Sequence, residues 1–267
     1  MAKRLSKKRD NVDADKKNMR RAEMISIKAA KLIFRNWKLF LPFPVITGVV
    51  VALVMGASMD TLITFGAITF LLIWLVSLFF ARHLINGDKI KFRDGLYNAF
   101  SPIVSTLMVF LVLAVECVPV MLVIIGYSAA LETELFGNMF YGSLFVLFAI
   151  IMVVITLWLV SGNLLALIAV TTPGMYPGRA LMLVREVMRG RKIKMMLTIV
   201  KLVLISVMVE LICMLPVIII GIVSQGDVST AGIIVTILVS SMMTAYAAVY
   251  LYIYYRKIID INKDINE

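Results

Sequence analysis

The sequence predicts an all-α integral membrane protein. It predicts six transmembrane helices, N-in and C-in, built as three parallel helical-hairpin repeats with cytoplasmic interfacial amphipathic helices. Three observations carry that expectation. The 267 residues are 61% hydrophobic and 16% charged, with a mean hydropathy of +0.98, an excess that a soluble core does not need. The basic residues all fall on one side of the apolar runs. Short apolar segments recur along the chain.

The runs lie near 39–58, 61–81, 103–126, 142–170, 196–223 and 230–255, each at or beyond the roughly 20 residues that cross a hydrocarbon core. The run at 142–170 is too long for one upright crossing, so part of it tilts or leaves the bilayer. Of the 27 Lys and Arg, 13 precede the first run, four lie in 82–93, seven in 179–201 and three after residue 255. The remaining loops carry Asp60, Glu132, Glu134 and Asp227 instead. The positive-inside rule then puts both termini and both basic loops in the cytoplasm of a multi-pass plasma-membrane protein. The net charge of +11 reads as attraction to anionic headgroups, not nucleic acid, for which no motif is present.

The elements follow in order. The tail 1–21 is too polar to fold alone and is expected to be mobile. The charged N-terminal segment of nearly forty residues does not match a secretory signal peptide. In 25–38, Lys28, Lys31, Arg35 and Lys38 form one helical stripe, with Ile25, Ala29, Ile33, Phe34 and Trp37 on the other side. The first span contains Pro42 and Pro44. Its Gly48, Ala52 and Gly56 repeat every four residues, as helices in close contact do. Whether that contact is internal or between two copies is open. Span two exits at Arg82 and His83, an interfacial pair. The segment 88–102, "DKIKFRDGLYNAFSP", is a shorter amphipathic copy. "TTPGMYPG" (171–178) leads into a second basic helix, with Pro177 suited to a first helical turn. There Arg185, Arg189 and Lys192 share a face opposite Leu183, Val184 and Val187. Such helices lie in the headgroup layer. In span five Lys201 snorkels. In span six Ser240, Thr244 and Ala248 repeat the small-residue spacing. Tyr246, Tyr250, Tyr252, Tyr254 and Tyr255 form an aromatic belt before Arg256 and Lys257. A short tail, 259–267, ends the chain.

The repeat rests on "IWLVS" (73–77) and "LWLVS" (157–161), with a weak echo at 238–240. It rests also on "VECVPVMLVIIG" (115–126) against "VELICMLPVIIIG" (209–221). The units run about 22–81, 88–170 and 177–258 within a membrane domain 22–258. An even number of spans per unit makes the repeats parallel.

Polar residues at membrane depth are the functional candidates: Glu116, Glu210 and Asn163. Each glutamate comes roughly 14 residues into its span, about 21 Å in at 1.5 Å per residue, which is the outer half of the hydrocarbon. Each precedes a proline, Pro119 or Pro216, that frees a backbone carbonyl. Two readings follow. The carboxyls respond to protons or cations, or they are protonated and hydrogen-bonded to neighbours, with Asn163, Ser77, Ser161 and Ser240 as candidates. Cys117 and Cys213 read as packing residues. With a single histidine, no zinc or other metal site is expected.

The three units of amphipathic helix and hairpin, with "GRALMLVREVMRGRKIKMML" (178–197) ahead of a proline-broken span, resemble a bacterial family. It is the membrane domain of some glycerophosphoryl diester phosphodiesterases and its stand-alone six-span relatives. The resemblance covers about residues 20–258 as a pattern and implies architecture. No segment remains for the soluble phosphodiesterase domain, so no catalytic residue is carried over.

No Walker A, HExxH or GxSxG motif is present, so a non-catalytic protein without cofactors is expected. The leading expectation is a membrane-organising or accessory role, binding anionic lipid headgroups through Lys28, Lys31, Arg35, Lys38, Arg185, Arg189 and Lys192. A protein partner or a second copy is a further candidate. The alternative is a proton- or cation-coupled transporter or channel using the glutamates, and an intramembrane enzyme comes third.

Overall fold

The computed structural model describes residues 25–54, 59–88, 90–132, 139–172, 174–224 and 229–266. The tail 1–21, Gly56, Glu134, Pro173 and Asp227 lie outside the described residues. Among the described residues the chain is helical, with no strand. The helices are α1 (25–35), α2 (Trp37–Phe40), α3 (Pro42–Leu53), α4 (Met59–Asn86), α5 (Phe92–Ala99) and α6 (Ile103–Glu116). They continue with α7 (Val118–Glu132), α8 (Met139–Asn163), α9 (Ala166–Ala169), α10 (Pro177–Val187), α11 (Lys192–Ser224) and α12 (Ser229–Asn266).

Four stretches are long and apolar enough to cross a membrane: Thr64–Asn86, Met139–Ala169, Lys192–Gly221 and Ala231–Ile259. The pair α6 and α7, bent by 51°, makes a fifth if counted as one broken span. The first expected span differs. Its described apolar part, Trp37–Val51, belongs to the shorter helices. Pro42 and Pro44 have no N–H, so the carbonyls of Lys38 and Phe40 lose their helical donors. The chain bends at Leu41 and α3 restarts with 12 residues, about 18 Å of rise.

The similar segments around Pro119 and Pro216 do not bend alike. Pro119 follows the break at Cys117, whose N–H bonds back to Leu113 and Ala114. Pro216 sits inside α11, which runs unbroken for 33 residues. The tail expected after residue 258 continues as helix to Asn266.

The chain divides into two compact units, Met1–Ala99 with Glu210–Ile261, and Phe100–Val209 with Asn262–Glu267. The first is built around α4, where Ile73, Trp74, Leu75, Val76, Phe80 and Ala81 are buried. Phe80 meets the Phe40 ring edge-on at 5.9 Å and stacks on Phe92 at 6.0 Å. Asn86 and Gly87 close α4. Gly87 takes φ +88°, and the Asp88 N–H reaches the His83 carbonyl across the turn, a left-handed cap that favours glycine. His83 Nδ1 and Asp88 Oδ2 lie 2.8 Å apart. Small residues bring α3 to α12: a Cβ on Gly48 would lie 2.9 Å from Leu238 Cδ2 and 3.3 Å from Ser241 Oγ. That contact is internal. On α12 it uses Leu238 and Ser241; Ser241 is buried, while Ser240 is exposed. The Ser240–Thr244–Ala248 register expected from spacing is therefore one residue off at its first position. Ser26 Oγ and Tyr246 OH, 2.7 Å apart, tie α1 to α12.

In the second unit α7 packs against α8 in antiparallel fashion, with Gly126 against Phe145. α6 and α10 cover α9, and Leu165–Val170 are all buried. The inner face of α10 is Ala180, Val184 and, just past the helix, Met188. Pro177 opens α10 as expected.

Gly95 in α5 is held against α4, since a Cβ there would come within 2.2 Å of Phe80 Cε1. Phe80 cannot yield without disturbing two ring contacts. Gly95→Ala is expected to destabilise the protein by about 1–3 kcal/mol. Gly66→Ala, with nothing within 4 Å, is expected to be neutral or stabilising by up to about 1 kcal/mol. Unfolding in detergent micelles measures both, and equal effects would contradict the α4–α5 packing.

Candidate functional site

The polar centre of the second unit is assembled from the ends of three helices. Glu116 is the last residue of α6, placed there by the break ahead of Pro119. Asn163 is the last residue of α8 and is buried. Arg185 lies in the last turn of α10. Asn163 Nδ2 donates to Glu116 Oε1, and Asn163 Oδ1 accepts from Arg185 Nε at 2.9 Å. This fixes the amide's orientation. Turned over, its oxygen would face a carboxyl oxygen and its NH2 a guanidinium. Glu116 Oε2 is buried without a hydrogen-bond partner among the described residues.

A second cation joins from α11. Lys192 Nζ stands 5.2 Å from the centre of the Trp158 ring. A Cβ on Gly162 would be 3.6 Å from Lys192 Cε and Nζ. Lys192 thus rests on the backbone beside Asn163. Both Arg185 and Lys192 act on the Glu116 carboxyl through space. Among the described residues no further hydrogen bond engages Arg185 Nη1 and Nη2. The arrangement is one carboxyl, one bridging amide and two cations, Arg185 exposed and Lys192 half-exposed, and its free donors suit an anion.

Several expectations change. Glu116 is not far from the basic helix. α7 has 15 residues, about 22 Å, and all of it lies between Glu116 and the loop that leads into Met139. Glu116 therefore sits toward the end of the unit that carries Asn163 and Arg185. Glu116 and Glu210 are not alike. Glu210 lies within the continuous α11, half-exposed, with no hydrogen bond or ion pair among the described residues. Of the partners proposed for the carboxyls, Asn163 bonds Glu116, whereas Ser161 Oγ donates to the Trp158 carbonyl. The stripe Arg185–Arg189–Lys192 is not one helix face. α10 ends at Val187, Gly190 takes φ +78°, and Lys192 begins α11. Arg189 is exposed. No spacing rule pairs Arg185 with Asn163, 22 residues away, or singles out Trp158 and Gly162.

The first stripe has Lys28, Lys31 and Arg35 on α1 and Lys38 on α2, past the turn at Asn36. Lys28, Lys31, Arg35 and Lys38 are exposed, and none forms an ion pair among the described residues. Its apolar side is split. Ile25 and Ala29 are buried, while Phe34 and Trp37 are 78% and 53% exposed. No cluster of three His, Cys, Asp or Glu occurs among the described residues.

No family model, curated protein or solved structure matches the chain.

Removing the bridging amide leaves a carboxyl and a guanidinium facing each other with nothing between. Asn163→Leu is expected to cost about 2–3 kcal/mol, and Glu116→Gln, which keeps an acceptor for Asn163, less than about 1 kcal/mol. Unfolding in dodecyl maltoside measures both. A Gln variant as damaged as the Leu variant would contradict the network.

Proposed function

We propose that this chain is a non-catalytic multi-pass membrane protein that gathers anionic lipid at its cytoplasmic face, in a membrane-organising or accessory role. The observation that carries this reading is the three-sided segment 25–38, formed by α1 and the start of α2. Ile25 and Ala29 pack inward, Phe34 and Trp37 stand outward, and Lys28, Lys31, Arg35 and Lys38 line the remaining side without acidic partners among the described residues. Exposed aromatics beside unpaired cations suit the boundary between acyl chains and headgroups.

The proposed topology has six crossings with both termini inside, α2 and α3 lying in the first. Its support is the one-sided distribution of all 27 basic residues. The threefold repeat enters as a sequence relation between 115–126 and 209–221, which the two helices carry with different bends. The proton- or cation-coupled transport reading draws on the buried Oε2 of Glu116, which has no hydrogen-bond partner among the described residues. It requires flux in proteoliposomes that Glu116→Gln abolishes.

Two measurements test the reading. Single cysteines placed in 127–141 are expected to label from outside intact cells, and those in 82–98 only after permeabilisation. Reversed labelling would overturn the topology. Purified protein in nanodiscs is expected to enrich phosphatidylglycerol over phosphatidylcholine, and a Lys28→Glu, Lys31→Glu, Arg35→Glu variant to lose most of that enrichment. The wild-type enrichment falls as salt rises, because exposed charges are screened. Enrichment unchanged by the triple substitution would contradict the role of the stripe.

A further inference from the structure

The face of α8 below Lys192 carries more than a diffuse charge. Trp158, Ile155, Ile151, Leu147 and Leu144 fall on one side of the helix at 100° per residue, and all five are exposed. At one end of this track stand Lys192, over the Trp158 ring, and Arg185, held by Asn163. At the other end Ile151, Leu147 and Leu144 join Ala130, Tyr141 and Phe148 in an apolar groove between α7 and α8, about 450 Å³ in volume. The same end of α8 therefore offers two held cations, with a long apolar path leading from Lys192 into a groove. A free anion would use only the first. A neutral apolar molecule would use only the second.

We infer that this face binds one anionic glycerophospholipid, its phosphate between Lys192 and Arg185 and an acyl chain along the Trp158–Leu144 track into the groove. The inference rests on the lipid-gathering reading above and deepens it, since it adds a single built site to a diffuse stripe. The guanidinium is the pre-positioned part. Its Nε is taken by Asn163, which aims the remaining fork outward toward phosphate oxygens. Asn163 in turn is held by Glu116, so Glu116 acts as a positioning residue and does not touch the lipid. The ammonium of Lys192 is supported by the Trp158 ring, whose apolar body also begins the acyl track.

Native mass spectrometry of the full-length protein, loaded with phosphatidylglycerol or phosphatidylcholine, tests this. One phosphatidylglycerol is expected to remain bound after washing at about 0.5 M NaCl, where screening reaches a few ångströms and the stripe's lipids are released. Lys192→Ala and Arg185→Lys should each lower that retained occupancy about tenfold or more. Leu147→Trp, an uncharged change that fills the groove, should lower it comparably, which a purely electrostatic or structural role would not do. The triple glutamate variant of the stripe should leave the retained lipid in place. Circular dichroism confirms that each variant is folded. Retention of phosphatidylglycerol unaffected by Lys192→Ala and Leu147→Trp overturns the site while sparing the lipid-gathering reading. No preference for phosphatidylglycerol at any salt overturns both. Displacement by inorganic phosphate at about 10 mM, near the weak end of specific affinities, would assign the two cations to a soluble anion and overturn the lipid assignment.

Discussion

Asn163 sits where an apolar helix ends, and its amide must find both a donor and an acceptor without help from bulk water. A buried polar group left unpaired in such a medium costs several kcal/mol, so the requirement governs what can stand nearby. Glu116 supplies the acceptor and Arg185 the donor. To bring them there, the chain must end α6 beside the end of α8 and lay α10 across both. The break at Cys117, the turn after Asn163 and the buried stretch Leu165–Val170 all serve that placement. Because each partner is itself ionisable, the amide also separates a carboxyl from a guanidinium that would otherwise meet in low dielectric.

The same constraint links the membrane part to its basic surface. α10 is held through Arg185 as well as through Ala180 and Val184. Its orientation, and hence where Arg189 and the following Lys192 point, depends on a residue at the bend of a spanning pair. The first unit solves the corresponding problem with packing. There Phe80 between Phe40 and Phe92 holds α5 and α2 to α4, and a hydroxyl contact ties α1 to α12. One unit thus fixes its amphipathic helices by rings, the other by an amide.

How much of this was legible depends on how local each signal is. The long helices at 142–170, 196–223 and 230–255 are visible in hydropathy, because a spanning helix is defined by uninterrupted apolar length. The break between α2 and α3 in the first run is not, because Pro42 and Pro44 remove helical donors without altering the hydropathy of the run. Asn163 and Glu116 were identifiable singly, as polar residues in apolar runs. Their pairing was one of several open choices across 47 residues. Arg185, Arg189 and Lys192 were placed on one helical face because helical periodicity was carried past Gly190, where the backbone turns left-handed and the register is lost. Proline context misled in the other direction. The similar segments around Pro119 and Pro216 suggested matching bends, yet a proline only removes one donor, and whether the helix then kinks depends on what packs against it.

The account's central claim is that Asn163 and Arg185 act as one unit in holding α10 to the spanning helices. A double-mutant cycle tests it most directly, with Asn163→Leu, Arg185→Leu and the double variant compared by unfolding in the same detergent. Contacting partners couple by about 0.5–3 kcal/mol, so the double variant should lose about that much less than the sum of the two single losses. Additive losses would show that the two side chains contribute independently, and would contradict the bridging role of Asn163.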